Sequence, residues 1–341
     1  MIHSVTRMAL LAALFLALPL HAQTTLTFGG SDAIGSILDR QNLRFTACVN
    51  DKAGGKLKIN FIQGEQLGSD VQVIEQTMQG SVHIYGDVLD WYANWVKDYA
   101  ILAWGFTFRD ADHMQKFLDS PTYAAMSEKL RKEQGLRILA AAPTQPRILF
   151  SKKPVGTLND LNGVKMRVPE IKTYLTLWET LGTRPSRLAW GEIYLGLKTG
   201  VVEAAEGPIS SAYAAKFHEA ATNVIRTDHL MSSAHITVNE KTFTALPADI
   251  QKLMTDCAVE AVLRFLPSPI HSSATGVIAR GFEEEDRRRV GGYRGHRPGL
   301  RRPAADARVQ RRRLSRHGLR RRPVEDRRPL PRRKLPEALG R

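Results

Sequence analysis

The sequence predicts an α/β protein with two domains and a mostly parallel sheet. Between residues 26 and 85 the hydrophobic pattern alternates strand, helix, strand, helix, strand, which is the order of an α/β layer. A second such set lies between residues 137 and 206. An apolar leader and a basic tail enclose roughly 260 residues, a length that accommodates two domains.

Glycines and N-capping side chains mark the helix ends in both sets. The first set comprises a strand over 26–28, a helix over 33–52, a strand over 57–61, a helix that begins at Ser69 or Asp70 and ends at Gly80, and a strand over 82–85. The second comprises strands over 137–142 and 147–151, a one-turn helix over 157–161, a strand over 164–168, helices over 173–181 and 191–199, and a strand over 203–206. A long amphipathic helix is predicted over 247–265, with Pro247 in its first turn.

The first 22 residues predict a signal peptide. Arg7 supplies the positive charge, an apolar segment runs over 8–20, and Ala22 ends a small-residue cleavage site. The apolar segment is too short to cross a bilayer, and no later segment reaches about 18 apolar residues without a charge. We therefore expect an exported protein that is soluble after cleavage. The alternative is a buried N-terminal helix.

The net charge of +15 comes from the C-terminal end. Residues 287–341 contain 21 Lys and Arg against 4 Asp and Glu, whereas the other residues contain 28 basic and 30 acidic side chains. The tail lacks Phe, Trp, Ile and Met, so it is too poor in apolar surface to offset its chain entropy. We expect residues 287–341 to be disordered.

The two cysteines, Cys48 and Cys257, both lie on predicted helices. In an exported protein they could form a disulfide. The favoured interpretation is that they are two small buried hydrophobic side chains.

Motifs for enzyme chemistry are missing from the sequence. It contains no dinucleotide-binding or Walker glycine pattern, no H-E-x-x-H, no G-x-S-x-G and no C-x-x-C. We expect no catalytic residues, no metal ligands and no cofactor.

Two arginines stand out in the second set. Arg147 and Arg167 lie on separate predicted strands, and a guanidinium group matches a carboxylate with two parallel hydrogen bonds. A pair directed into one cleft indicates a receptor for a small organic acid. The alternatives are a permanent pairing of Arg167 with Asp160 or Glu170, and a solvated strand end for Arg147.

Three motifs resemble the DctP-type solute-binding subunits of tripartite ATP-independent periplasmic (TRAP) transporters. Residues 147–169 read R-x-L-F-S-x-K-P and then L-x-D-L-x-G-x-K-x-R-V-P. Residues 189–208 contain A-W-G-E-x-Y and E-G-P, and residues 66–80 read Q-L-G-S-D-x-x-V-I-E-Q-x-x-x-G. The resemblance covers residues 24–282.

The resemblance implies a two-lobe, type II periplasmic-binding-protein fold, with a ligand cleft between the lobes and a long helix that spans both. Lobe I would comprise residues 23–144 and 233–272, and lobe II residues 145–232 and 273–286. The implied function is a periplasmic receptor, expected to be a monomer, that delivers a carboxylate such as a C4-dicarboxylate to membrane permease subunits. Nucleic acid is not an expected partner.

The resemblance also implies the ligand-binding residues. Arg167 would form the bidentate salt bridge to the ligand carboxylate, with Arg147 as the second arginine. Gly207 replaces an asparagine that often contacts ligand in the family, so a polar contact there would come from backbone or from Glu206. The other implied cleft residues are Trp190, Asp87 and Tyr213. Trp190 could instead pack in the core, and Asp87 could instead cap a helix.

The tail departs from the family, which normally completes the second lobe beyond Phe282 with further helices and strands. Its Arg, Pro, Gly and Ala have GC-rich codons, so we interpret it as a frameshift near residues 283–290; an uninterrupted frame in close relatives would contradict this. Two alternative functions remain: binding of a polyanion or nucleic acid through the tail, and a secreted hydrolase on the same scaffold.

Overall fold

The computed structural model describes residues 23–263. The strands are β1 (Thr24–Gly29), β2 (Leu57–Ile62), β3 (Ile84–Tyr85), β4 (Leu136–Ser151), β5 (Lys165–Val168), β6 (Arg184–Arg187), β7 (Ala204–Pro208) and β8 (Asn223–Asn239). The α-helices are α1 (Ile37–Lys52), α2 (Asp70–Gln79), α3 (Ala111–Leu118), α4 (Pro121–Gln134), α5 (Lys172–Thr180), α6 (Ile193–Thr199), α7 (Ile209–Ala214), α8 (Glu240–Thr244) and α9 (Ala248–Leu263). The 3-10 helices are Leu89–Asn94, Lys97–Ala103, Leu158–Leu161, Trp190–Glu192 and Phe217–Glu219.

The strands form one mixed sheet in the order β2-β1-β3-β8-β4-β7-β5-β6. β1 is parallel to β2 and β3, and β5 is parallel to β6 and β7, so the predicted parallel pairing is confirmed within each half of the sheet. β4 and β8 are long antiparallel strands, and their pairing extends from one half of the sheet into the other. These two strands are the connection that positions the two halves around a common site.

The predicted strands over 137–142 and 147–151 are one strand, β4. The pairing of β4 with β8 shifts register between Pro143 and Pro146. Proline lacks the N–H that a ladder bond requires, which explains both the irregularity and the prediction of two separate strands.

Local capping signals fix where two helices begin, and one of these starts was predicted correctly. Ser69 is the N-cap of α2, and Gly80 ends that helix in the left-handed conformation, with φ 82°. The helix predicted from residue 33 begins later, at Ile37, because Gly35 has φ 89° and the Ser36 side chain accepts the Asp39 N–H.

Helix α9 packs against α1 and β4, and its buried face includes Ile250 and Met254. A disulfide joins Cys48 on α1 to Cys257 on α9, with their Cα atoms 5.7 Å apart. The favoured interpretation of two unpaired cysteines is therefore wrong. The packing of two helices far apart in sequence brings the side chains together, and no local pattern encodes that contact.

None of the helices within residues 23–263 is long and apolar enough to cross a membrane. The predicted signal peptide, the 264–286 parts of the two lobes and the basic tail lie outside the described residues. The lobe boundaries therefore stay a prediction.

Candidate functional site

A cleft opens where the carboxyl ends of parallel strands from the two halves of the sheet meet. Loops that follow such strand ends are the usual position of ligand sites in α/β folds. The cleft encloses about 450 Å³, including its open mouth. Its lining residues are Asp32, Leu38, Asp70, Asp87, Val88, Asp90, Trp91, Arg147, Arg167, Pro169, Ile171, Tyr174, Trp190, Pro208 and Ser211.

Arg147 forms a buried ion pair with Glu206. Its Nε and Nη2 donate to the two carboxylate oxygens of Glu206 over 2.5 and 2.7 Å, and Glu206 is fully buried. Burial disfavours the charged form of both groups, but the attraction between the two opposite charges is stronger. The pKa of Glu206 is therefore lower than its usual value, and the pKa of Arg147 is higher than its usual value. His229 Nε2 lies 3.2 Å from the same carboxylate. The guanidinium of Arg147 is therefore largely committed within the protein, and is not at a solvated strand end.

Arg167 is the less committed of the two arginines. Its side chain is 1% exposed, and its Nε donates to the Leu188 carbonyl oxygen over 2.9 Å. Its Nη1 is buried without a hydrogen-bond partner and lies 4.0 Å from the nearest Glu206 oxygen. Burial lowers the pKa of Arg167 to about 10, so the group stays charged at neutral pH.

Neither permanent partner considered for Arg167 forms an ion pair with it among residues 23–263, where its carboxylate neighbour is Glu206 at 4.0 Å. Asp160 instead accepts the backbone N–H groups of Gly156 and Thr157. An unpartnered buried donor is costly, and in this structure it borders a cavity. The arrangement suits an exchangeable anion.

Trp190 serves both roles considered for it. Its indole lines the cleft 5.5 Å from the Arg167 guanidinium carbon, and it also packs 5.0 Å from the Phe217 ring. A β-carbon at Gly207 would lie 3.0 Å from this indole. The missing side chain at Gly207 is therefore what lets Trp190 occupy the floor of the cleft.

Four aspartates also line the cleft: Asp32, Asp70, Asp87 and Asp90. Asp87 lines the cleft, and its Oδ1 accepts the Val88 N–H over 2.8 Å and the Trp91 indole N–H over 3.3 Å; the N-cap of the following 3-10 helix Leu89–Asn94 is Val88, with no side-chain cap, so Asp87 is not a helix cap. Burial, followed by the charges of Asp70 and Asp32, raises the pKa of Asp87 well above its usual value. Burial raises the pKa of Asp70 to about 6.

Two residues assigned by the resemblance lie away from the cleft surface. Tyr213 is 69% exposed and stacks on His218, outside the residues that line the cleft. Glu206 lies beneath the surface, paired with Arg147. The structure thus brings Arg167, Arg147, Trp190 and Asp87 to the lining of the cleft, with Gly207 next to Trp190, but not Tyr213.

Sequence reasoning missed Asp32, Asp70, Asp90, Tyr174 and Ser211. Asp70 was considered only as a possible helix start, and Asp32 was not singled out. A usable sequence signal for a ligand site existed, because Asp32 follows the carboxyl end of a predicted strand and Asp70 begins the helix after the next strand. Within residues 23–263, no cluster of His, Cys, Asp and Glu is arranged to hold a metal ion.

Two hydrogen bonds join the two sides of the cleft. Ser211 Oγ on α7 donates to Asp32 Oδ2 over 2.7 Å, and the Gly191 N–H donates to Glu65 Oε2 over 2.9 Å. Burial and the neighbouring Asp70 raise the pKa of Glu65 to about 7. These bonds hold the loops of one half of the sheet against helices of the other.

Comparisons with known proteins match this region of the chain. The family model for the bacterial extracellular solute-binding proteins, family 7 (DctP), matches residues 32–266. A solute-binding protein from Roseobacter denitrificans is 26% identical over 236 residues, covering 67% of this chain and 72% of that protein. The sialic acid-binding periplasmic protein SiaP from Vibrio cholerae is 24% identical over 246 residues, covering 72% and 76%.

A solved structure shares the fold. The crystal structure of a TRAP periplasmic solute binding protein from Roseobacter denitrificans with bound β-D-glucuronate has a TM-score of 0.67 and 27% identity. The match covers 70% of this chain and 79% of that one. The residues matched by the family model include every residue that lines the cleft.

Proposed function

This chain belongs to the bacterial extracellular solute-binding proteins, family 7, of the TRAP DctP type, and we propose that it captures a small organic acid in the periplasm and delivers it to membrane permease subunits. The relatives are solute-binding proteins, and several bind acids. On this proposal the protein is a monomer that releases its ligand unchanged.

One observation carries the proposal. Arg167 lines the cleft, and its buried guanidinium has an Nη1 without a hydrogen-bond partner, while its Nε is held by the Leu188 carbonyl. A carboxylate would complete its hydrogen bonds and balance a charge that burial makes costly. Arg147 supports this site indirectly, because its two hydrogen bonds hold the Glu206 carboxylate 4.0 Å from Arg167 Nη1, beyond hydrogen-bond distance.

A thermal-shift screen of the protein against small carboxylates tests the proposal. A ligand that binds only the folded state adds about 2.7 kcal/mol at a hundredfold excess over Kd, which raises the melting temperature. We expect a selective shift that Arg167→Met abolishes and that Arg184→Met, on the exposed strand β6, leaves intact. A shift that survives Arg167→Met would contradict the assigned anchor.

Two further measurements test the rest of the proposal. The periplasmic form should begin at Gln23, read by N-terminal sequencing, if the signal peptide is cleaved after Ala22. The bound acid, recovered by denaturing the complex, should have its original mass. A changed mass would favour the hydrolase.

A further inference from the structure

Glu65 reaches across the cleft to the 3-10 helix Trp190–Glu192. The residue follows β2, and its Oε2 accepts the Gly191 N–H over 2.9 Å from the other side. Its backbone has φ 57°, a left-handed conformation that is uncommon for residues other than glycine and that clusters at functional sites. A β-carbon at position 191 would collide with the Glu65 carboxyl group. The backbone at both positions is therefore adapted to this contact.

The contact restrains Trp190. Gly191 directly follows Trp190, and the Trp190 indole lies 5.5 Å from the Arg167 guanidinium carbon. The hydrogen bond to the Gly191 N–H therefore helps to hold the indole against the proposed anchor of the ligand. Glu65 is not among the residues that line the cleft, so it acts on the ligand through Gly191 and Trp190.

The surroundings of Glu65 favour a neutral carboxyl group. Its second oxygen, Oε1, is buried and has no hydrogen-bond partner among residues 23–263. A charge at this position would be poorly solvated, which makes the carboxylate more costly there than the carboxylic acid.

The charged groups around Glu65 do not reverse this preference. Asp70 on α2 and Arg167 on β5 act on it, and Glu192, on the 3-10 helix across the cleft, is an exposed acid. Burial, and then the charge of Asp70, raises the pKa of Glu65 to about 7, against the opposing effects of the Gly191 N–H and of Arg167.

Opening of the cleft would reverse the effect of burial. Separation of the two sides exposes Glu65 to water, where the pKa of its carboxyl group returns towards the ordinary value of 4.5. The closed form has the higher pKa, so it binds more protons than the open form, and closing becomes more favourable as the pH falls through about 7. A ligand carboxylate strengthens this coupling, because it offsets the Arg167 charge that favours ionised Glu65.

We infer that Glu65 is a positioning residue that acts as a neutral acid: closure of the cleft around the ligand transfers a proton from solvent to Glu65, and the protonated carboxyl group holds Gly191 and Trp190 against Arg167. The inference rests on the proposed function and adds its regulation by pH. One ligand anion and one proton enter the closed cleft together. The ligand is thus bound more tightly in acidic surroundings than in alkaline ones, although its own carboxylate stays ionised.

Calorimetry on the purified protein between pH 6 and pH 8 tests the inference. The probes are D-glucuronate, galactonate, pyruvate and fumarate, whose carboxylates stay ionised over this range. We expect a probe that binds to do so about three- to tenfold more tightly at pH 6 than at pH 8, the lower figure allowing for the partial exposure of Glu65. At pH 7, two buffers of different ionisation enthalpy should show the uptake of about half a proton per ligand.

Variants separate this role from a purely structural one. Glu65→Gln retains an acceptor for the Gly191 N–H and resembles the neutral acid, so at pH 8 it should bind about three- to tenfold more tightly than the unmodified protein. Glu65→Ala removes the acceptor and should bind more weakly at every pH. Glu75→Gln, at an exposed position of α2, is the matched control and should leave the pH dependence unchanged.

The outcomes separate this inference from the function on which it rests. Binding by Glu65→Gln at pH 8 that is equal to or weaker than that of the unmodified protein overturns the inference and leaves the receptor function standing. If Glu65→Gln does not fold, the unmodified protein decides: an affinity that is constant or falls between pH 8 and pH 6, with no proton uptake, overturns the inference. Failure of all four probes to bind overturns both.

Discussion

Replacing Arg147 with methionine would leave the Glu206 carboxylate buried without its main partner. The two charge-assisted hydrogen bonds, at 2.5 and 2.7 Å, would be lost, and the remaining neighbours of the carboxylate are the His229 imidazole at 3.2 Å and the Arg167 guanidinium at 4.0 Å. Breaking one side of a buried ion pair costs about 3–5 kcal/mol. We expect the lower half of this range, because Arg167 lies close enough to compensate in part.

The assay is urea unfolding of the full chain in a double-mutant cycle. Arg147→Met and Glu206→Gln should each lower the free energy of unfolding, and the double variant should cost less than their sum. The expected coupling energy is about 2–3 kcal/mol, since the pair is almost fully buried. Arg167→Met should cost much less stability, because it removes a buried charge that lacks a complete set of partners.

Two results would refute this reasoning. A change below about 0.5 kcal/mol in Arg147→Met is typical of an exposed charge and would mean that the pair does not form. Loss of ligand binding in Arg147→Met without loss of stability would mean that Arg147, rather than Arg167, anchors the ligand.

Two more stability predictions concern the disulfide and a buried aspartate. The bond between Cys48 and Cys257 closes a sequence separation of 209 residues, so the double serine variant should lose about 2–5 kcal/mol in urea unfolding; a loss below about 1 kcal/mol would contradict a formed disulfide. The pKa of Asp70 is raised to about 6, so its stabilising effect is complete below its unfolded pKa near 3.8 and is lost as pH rises to about 6. The free energy of unfolding should therefore fall by about 3 kcal/mol between these two pH values because of Asp70. Urea unfolding of Asp70→Asn should lack this contribution. The same pH dependence in the variant and the unmodified protein would contradict the raised pKa of Asp70.

Local signals in the sequence predicted much of the fold. The cap at Ser69 and the left-handed Gly80 depend on neighbouring residues alone, and α2 lies where they place it. Strand β8 was missed because its buried part carries Ser233, His235 and Thr237. Their burial depends on distant partners, such as the hydrogen bond between Tyr92 and His235, so periodicity does not show it.

The candidate site was predicted in outline. Both arginines were identified, but their different roles depend on the register of β4 and β7. That register pairs Arg147 with Pro208 and Leu149 with Glu206, so Arg147 and Glu206 are diagonal neighbours on one face of the sheet. Residues 59 positions apart in sequence give no local sign of such an ion pair.

The hydrogen bonds at Gly191 and Ser211 bear on the rate at which a ligand leaves. Separation of the two sides of the cleft has to break the bonds to Glu65 and Asp32 before the ligand can escape. A β-carbon at position 191 would lie 2.4 Å from the Glu65 carboxylate oxygen, so glycine is what permits this close contact. On the proposed function, the residence time of the ligand is therefore set partly by the bond between Glu65 and Gly191, which do not line the cleft, and a partner that draws Glu65 away from Gly191 would hasten release without altering the ligand's own contacts.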